Sequence, residues 1–363
     1  MRPADEHAAI ARIERVRARG PRLIEEVVTT AHGAGGIASA ALVENVFVDA
    51  FRGDDTSHPL ATLGDAALLD APTGRVALTT DSYVVQPIEF PGGSIGHLAV
   101  HGTINDLAVS GAQPRWLSAA FVLEEGLPIA DLRRIVDDMA SAAREAGVTI
   151  VTGDTKVVPR GAADRLYITT AGVGVVPSGR DLGAHRVRDG DVLLVSGAIG
   201  AHGMAVMLAR GGLGLEAPEL RSDTRAVHHL VEALLEAAPG TAWMRDATRG
   251  GLGTVACELA RDTGLSVELA EADLPVAPVV AGACDILGID PLYVANEGCF
   301  VAVVPADEAD AAVAALRALP GGAEAAVVGR IGVDPPAQVT LATPYGGLRM
   351  VEPLVGDPLP RIC

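Results

Sequence analysis

Short apolar runs alternating with helix-period stretches constrain this chain most. Arg75–Thr80, Val148–Thr152, Leu166–Val176, Asp191–Val195, Cys299–Val304 and Ala325–Ile331 each read as a buried strand. Between them, Gly96–Gly111 carries Val100, Ile104, Leu107 and Ala108 on one stripe. Ile129–Ala146 lines up Leu132, Ile135, Val136, Met139 and Ala143, with Gly147 as a stop. Further helices are expected near 201–210, 223–238, 250–262 and over Asp307–Leu319. Strands alternating with helices predict an α/β chain. Its 363 residues suffice for two domains with cores of their own. Pro177-Ser178-Gly179-Arg180 breaks the pattern. The expected division is a charged extension over 1–26, an N-terminal domain over 27–177, a C-terminal domain over 178–350 and a tail over 351–363.

The charge balance narrows the partners. With 28 basic and 46 acidic side chains the net charge is 28 − 46 = −18. Such a field repels nucleic-acid backbones and anionic lipid, so no nucleic-acid or membrane-surface partner is expected. A phosphorylated substrate would need divalent cations as intermediaries. No apolar run reaches the roughly 18–20 residues of a membrane span, and Met1–Arg19 lacks the apolar centre of a secretory signal. Cys257, Cys284, Cys299 and Cys363 form no CxxC pair, which predicts free thiols in the reducing cytoplasm.

Several residues stand out as candidate chemistry. Of the 28 basic residues 27 are Arg, and the one Lys is Lys156. A chain that avoids Lys keeps one where a deprotonatable amine is needed, which Arg cannot supply. Lys156 follows Asp154 and Thr155 just past an expected strand. Asp65, Asp81, Asp106 and Asp246 each interrupt or end an apolar element, with Asp81 expected at a strand terminus, and converging carboxylates hold hard cations such as Mg²⁺. The loops His32-Gly33-Ala34-Gly35-Gly36 and Arg249-Gly250-Gly251-Leu252-Gly253 offer backbone N–H groups to phosphate, yet neither is a Walker or Rossmann fingerprint. Glu297 enters another strand and suits a general base. His97, His101 and Asn105 share one helix face, either as metal ligands or as the polar lining of a cavity. Cys363 ends a Pro-stiffened arm starting at Pro353, with a reach of roughly 35 Å. This suits a swinging thiol, whereas Cys257, Cys284 and Cys299 read as packing thiols.

Taken in order, seven segments resemble the HypE family of hydrogenase expression/formation proteins. They are His32–Gly36, Thr79–Ser82 with Phe90–Gly93, Gly102–Ala108, Gly153–Lys156, Asp246–Leu252, Asn296–Phe300 and Pro360–Cys363. That family lies within the wider ATP-binding family of aminoimidazole ribonucleotide synthetase and selenophosphate synthetase. The resemblance covers about residues 27–363 and leaves the charged extension unaccounted for. It implies a two-domain aminoimidazole-ribonucleotide-synthetase-like α/β fold with a flexible tail, dimerising through its N-terminal sheet. It implies a reaction too: the carbamoyltransferase HypF loads a carbamoyl group onto the final thiol. ATP then drives its dehydration to thiocyanate, and cyanide passes to iron on the HypC–HypD scaffold. The implied cofactors are ATP and Mg²⁺. The implied site has Asp65, Asp81, Asp106 and Asp246 on metal, and Gly33, Gly35 and Gly36 on the triphosphate. Asn105 orients phosphate or ribose, and Asp154, Thr155, Thr248, Arg249 and Gly250 complete the nucleotide contacts. Lys156 and Glu297 act at the phosphoryl and amide groups, in exchangeable roles, on substrate carried by Cys363. Three other readings remain open: a small-molecule synthetase of the wider family with an idle tail, a non-catalytic scaffold that only displays Cys363, and a metal carrier using His97 and His101.

Overall fold

The structure, a computed structural model, describes residues 22–61, 66–70, 72–211, 217–354 and 361–363. Two sheets organise it. The first has four strands, β1 (Arg75–Tyr83), β4 (Gln113–Glu124), β5 (Thr149–Val158) and β6 (Leu166–Val176), in the order β1-β6-β4-β5. Only β4 and β5 run parallel. A short hairpin, β2 (Glu89–Phe90) with β3 (Gly93–Ser94), leads into helix α2 (Ile95–Val109); α1 (Ile37–Leu42) precedes the sheet and α3 (Ile129–Glu145) follows β4. The second sheet has seven strands: β7 (Val192–Val195), β8 (Trp243–Asp246), β9 (Ser266–Ala270), β10 (Phe300–Val304), β11 (Ala326–Gly332), β12 (Val339–Ala342) and β13 (Leu348–Val351). Their order is β13-β12-β9-β11-β7-β10-β8. Helices α5 (His228–Ala237), α6 (Gly251–Thr263) and α8 (Ala309–Arg317) pack on it, whereas α4 (Ala201–Ala209) and α7 (Pro278–Leu287) pack into the core of the N-terminal lobe.

Pattern explains packing. Along α3 the expected stripe of Leu132, Ile135, Val136, Met139 and Ala143 is buried while its opposite face is solvated. Helix α2 is buried nearly all round, which marks a helix enclosed by protein. Its N-terminal part packs with the four-stranded sheet, and Ala108 and Val109 join the core of the second lobe with Leu194, Phe300 and Ala302. One face of β7 and β10 (Leu193, Val195, Val301, Val303) packs under α6, and the other (Leu194, Ala302, Val304) under α5 and α8. α2 therefore ties the lobes together, and its half-exposed Asp106 faces the seam between them.

Three expectations need correction. Asp81 lies inside β1, paired with Thr170, rather than at its end. Gly153–Lys156 lies within β5, not in a loop after a strand. The helix expected over 223–238 is α5 at His228–Ala237, and residues 222–227 form an irregular strap. Strand β4 went unread although its inward Leu117, Ala119, Phe121 and Leu123 alternate strictly.

Candidate active site

An acidic cavity of about 410 Å³ lies in the seam. It is lined by Asp81 of β1, Asp106 of α2, Asp246 of β8, then Thr248, Arg249, Glu297 and Cys363. Local rules bring them there. Odd residues of β1 point toward α2, so Asp81 faces the helix while Leu78 and Thr80 face away. Thr79 Oγ1 donates to Asp106 Oδ2 at 2.7 Å, and Thr103 Oγ1 lies 3.4 Å from Asp81 Oδ2. Gly102 is required here: a Cβ would stand 2.3 Å from the Tyr83 hydroxyl, which packs against α2 at this point. In the second sheet Asp246 pairs with Phe300, bringing the end of β8 beside the segment that carries Glu297. Gly250, at φ 71°, turns the chain from β8 into α6, which a residue with a Cβ would do only under strain.

The electrostatics record the crowding. Burial, then the neighbouring Asp106 carboxylate, pushes Asp81 up to about 6. The same two causes push Asp246 up to about 7, against the opposing effect of Arg245. Glu297 is 3 % exposed. Its pKa is held well above the ordinary carboxylate range by burial, then by Asp246, Asp223, Asp81 and Asp106. A pocket of mutually repelling carboxylates fits a hard cation. Among the described residues no three His, Cys, Asp or Glu side chains already enclose a point in space. The donor set thus suits Mg²⁺, which keeps water and phosphate oxygens among its ligands, better than a closed protein cage. Asp65 lies outside the described residues.

The residues around Cys363 are anchored. Val84 N–H donates to the Cys363 carbonyl at 3.2 Å, and Gln86 N–H to that of Arg361 at 3.3 Å. His202 Nε2 lies 2.9 Å from the Ile362 carbonyl, and Ile362 is buried. A carbonyl only accepts, so Nε2 carries the proton and Nδ1 accepts from Ser222 Oγ at 2.8 Å. Arg361 reaches Asp164 Oδ2 at 2.7 Å. None of the four sulfurs is in a disulfide. Burial pushes Cys257 and Cys284 up to about 11 and Cys299 to about 12, so these three stay protonated and unreactive near neutrality.

Other expected site residues fall elsewhere. Gly33, Gly35, Asp154, Thr155 and Lys156 line a second cavity of about 310 Å³ with His32, Phe47, Phe51 and Phe121, while Gly36 caps α1. Lys156 Nζ bonds Asp154 Oδ1 at 2.7 Å, with both side chains exposed. β5 and β1 are opposite edges of the sheet, three strand spacings or about 14 Å apart. Lys156 also pairs with Val122 on the outer face, whereas Asp81 faces inward. The residues expected in a single site are therefore divided between two cavities of the chain. Asn105 does not line the acidic cavity, contrary to expectation, and its amide is spent on backbone. Nδ2 donates to the carbonyls of Arg225 at 2.9 Å and Glu297 at 3.3 Å, and Oδ1 accepts from Val227 N–H at 2.8 Å. The His97 and His101 rings lie 5.8 Å apart between centroids with their planes tilted by 45°, held by Ser94 and Thr224 respectively. Sequence reasoning passed over Asp223, whose carboxylate sits beneath Glu297. Its neighbours carry no periodic signal.

The fold and site match known proteins. Residues 63–176 match the family model of the AIR synthase related protein N-terminal domain, and residues 188–341 that of the C-terminal domain. The chain is 53 % identical over 341 residues to carbamoyl dehydratase HypE of Rhodobacter capsulatus, covering 94 % of this chain and 99 % of the relative. It is 47 % identical to that of Escherichia coli K12, covering 93 % and 99 %. A crystal structure of hydrogenase maturation protein HypE in complex with ATP superposes with a TM-score of 0.87 at 44 % identity, covering 92 % of this chain and 99 % of that one. A crystal structure of a HypE–HypF complex gives 0.75 at 43 %, covering 86 % and 100 %. The two-domain synthetase-like fold expected from the motifs is the one observed, and the chain belongs to the AIR synthase related family, within it to the HypE carbamoyl dehydratases.

Proposed function

We propose that this chain is a hydrogenase-maturation enzyme that uses ATP to dehydrate a carbamoyl group carried on Cys363 to a thiocyanate. The observation that carries the reading is Cys363 lining the same cavity as Asp81, Asp106, Asp246 and Glu297. An amide oxygen leaves poorly, and phosphorylation makes it a good leaving group. The balance is S–C(=O)NH₂ plus ATP giving S–C≡N, ADP and phosphate: the amide oxygen leaves in the phosphate, one amide proton ends on that phosphate and the other is released. In this reading Asp81, Asp106 and Asp246 hold Mg²⁺, which offsets the triphosphate charge. The anchors on Arg361–Cys363 present the amide, and Glu297, in the carboxylate form that bound cation charge would favour, takes its proton. Thr248 and Arg249 line the same cavity and would contact the phosphates.

Lys156 reaches such a site only from a second copy. The outer face of the four-stranded sheet is apolar: Leu78 is 74 % and Val76 53 % exposed, beside Val173, Trp116 and Val122. A homodimer through this face covers it and brings the half-site with Gly33, Gly35, Asp154, Thr155 and Lys156 to the acidic half-site of its mate. Leu78→Glu, an exposed position that folding does not need, is expected to give monomers in sedimentation analysis. Dimers that persist would place the interface elsewhere.

The reading assigns HypF as the carbamoyl donor and the HypC–HypD scaffold as the cyanide acceptor. Intact-mass analysis tests it. With a HypF carbamoylation system the chain is expected to gain one carbamoyl group at Cys363, then to lose one water on addition of Mg-ATP. Cys363→Ser is expected to do neither. Addition at Cys257, Cys284 or Cys299 would overturn the assignment, as would full ATP turnover on a free substrate by Cys363→Ser.

A further inference from the structure

The strap Ser222–Val227 runs between the lobes. Ser222 N–H donates to the Pro91 carbonyl at 2.8 Å in the N-terminal lobe, and Val227 N–H to Asn105 of α2. On its other side it meets the segment bearing Glu297. Asp223 is buried and spends both carboxylate oxygens there, Oδ1 accepting from Glu297 N–H at 3.2 Å and Oδ2 from Gly298 N–H at 2.9 Å. The Glu297 carbonyl accepts from Arg225 N–H at 3.3 Å and from Asn105 Nδ2 at 3.3 Å. Every backbone polar atom of Glu297 is thus held by the strap or by α2. The approach is so close that a Cβ at residue 298 would stand 1.9 Å from the Asp223 carbonyl, which leaves room for Gly298 alone. The neighbouring Ser222 holds His202, which holds the Ile362 carbonyl next to Cys363.

We infer that Asp223 is a positioning residue for this enzyme. By clamping the backbone at Glu297 and Gly298 from the same strap that supports the docked Ile362, it aims the Glu297 carboxyl at the group on Cys363. A buried carboxylate in an already acidic seam is costly unless fully hydrogen-bonded. Simple packing would be met by a neutral side chain. Asp223 is not among the residues lining the acidic cavity, so its effect is expected on the rate of dehydration and not on ligand affinity. The inference rests on Glu297 being the base.

The test is a double-mutant cycle on the full chain, pre-carbamoylated at Cys363, with Mg-ATP as probe and single-turnover loss of water as readout. Asp223→Asn retains one acceptor and sets an N–H against the other amide. It is expected to slow dehydration by about 10²-fold, the effect of a misplacement near 1 Å. ATP affinity and carbamoyl loading should stay within about twofold of the parent. Asp223→Glu, which keeps both oxygens and the charge, should recover part of the rate. In a Glu297→Gln background the same Asp223→Asn change should add nothing further. Additive losses in the cycle, an unchanged rate for Asp223→Asn, or equal losses in ATP affinity and loading would overturn the positioning role while leaving Glu297 as base. Rapid dehydration by Glu297→Gln alone would instead overturn the base assignment, and the positioning role with it.

Discussion

A Glu297→Gln chain loaded with carbamoyl at Cys363 and given Mg-ATP is expected to keep its carbamoyl mass. The parent chain loses one water under the same conditions. Gln preserves the volume and polarity of the buried site but accepts no proton at neutral pH. Removing a positioned base costs about 10²–10⁴-fold in rate. Loading should be untouched, because it takes place at the Cys363 sulfur and needs no proton acceptor at residue 297. Burial, then the nearby Asp246, Asp223, Asp81 and Asp106 carboxylates, hold the Glu297 pKa well above the ordinary range, so a neutral Gln leaves the charge of the cavity largely as it was. ATP affinity should therefore hold even as turnover is lost. A single-turnover mass experiment separates these effects, and water lost at the parent rate would remove Glu297 from the chemistry.

The second large effect is complementation between two inactive variants. Lys156→Ala and Glu297→Gln are each expected to be inactive as homodimers. Unfolded and refolded together in equal amounts, they should recover about a quarter of the parent activity. Half of the dimers are then mixed, and two-fold symmetry leaves each mixed dimer one intact site of two. The expectation follows from the sheet. Asp81 lies on an inner-facing position of one edge strand and Lys156 on an outer-facing position of the other. The Lys156–Asp154 pair is exposed, so Lys156→Ala should cost little stability. Activity by ATP consumption before and after mixing is the measurement. No recovery would mean that Lys156 serves a site within its own chain.

Local pattern revealed much of this protein. Helix α3 and its buried stripe, strand β6 from Leu166 to Val176, and helix α2 within two residues were all legible, because their periodicity reports burial directly. The acidic residues were legible as a group, since charged side chains interrupt apolar elements only where something compensates them. Asn105 shows the limit. Its place on α2 was readable, yet its amide serves the Arg225, Val227 and Glu297 backbone, partners 120 or more residues away. Asp223 was invisible for the same reason: an irregular strap has no period, and its carboxylate acquires meaning only from the two N–H groups it meets.

By itself, then, the amino-acid order made strands such as β6 and β10, helices such as α2 and α3 and the inventory of reactive groups legible, because these depend on neighbours a few residues apart. Tertiary structure alone decided which groups share a cavity. It gathered Asp81, Asp106, Asp246, Glu297 and Cys363 in the seam and left Lys156 on the far edge of the sheet. Strand order and lobe packing are set by contacts between distant segments, and no local periodicity encodes those.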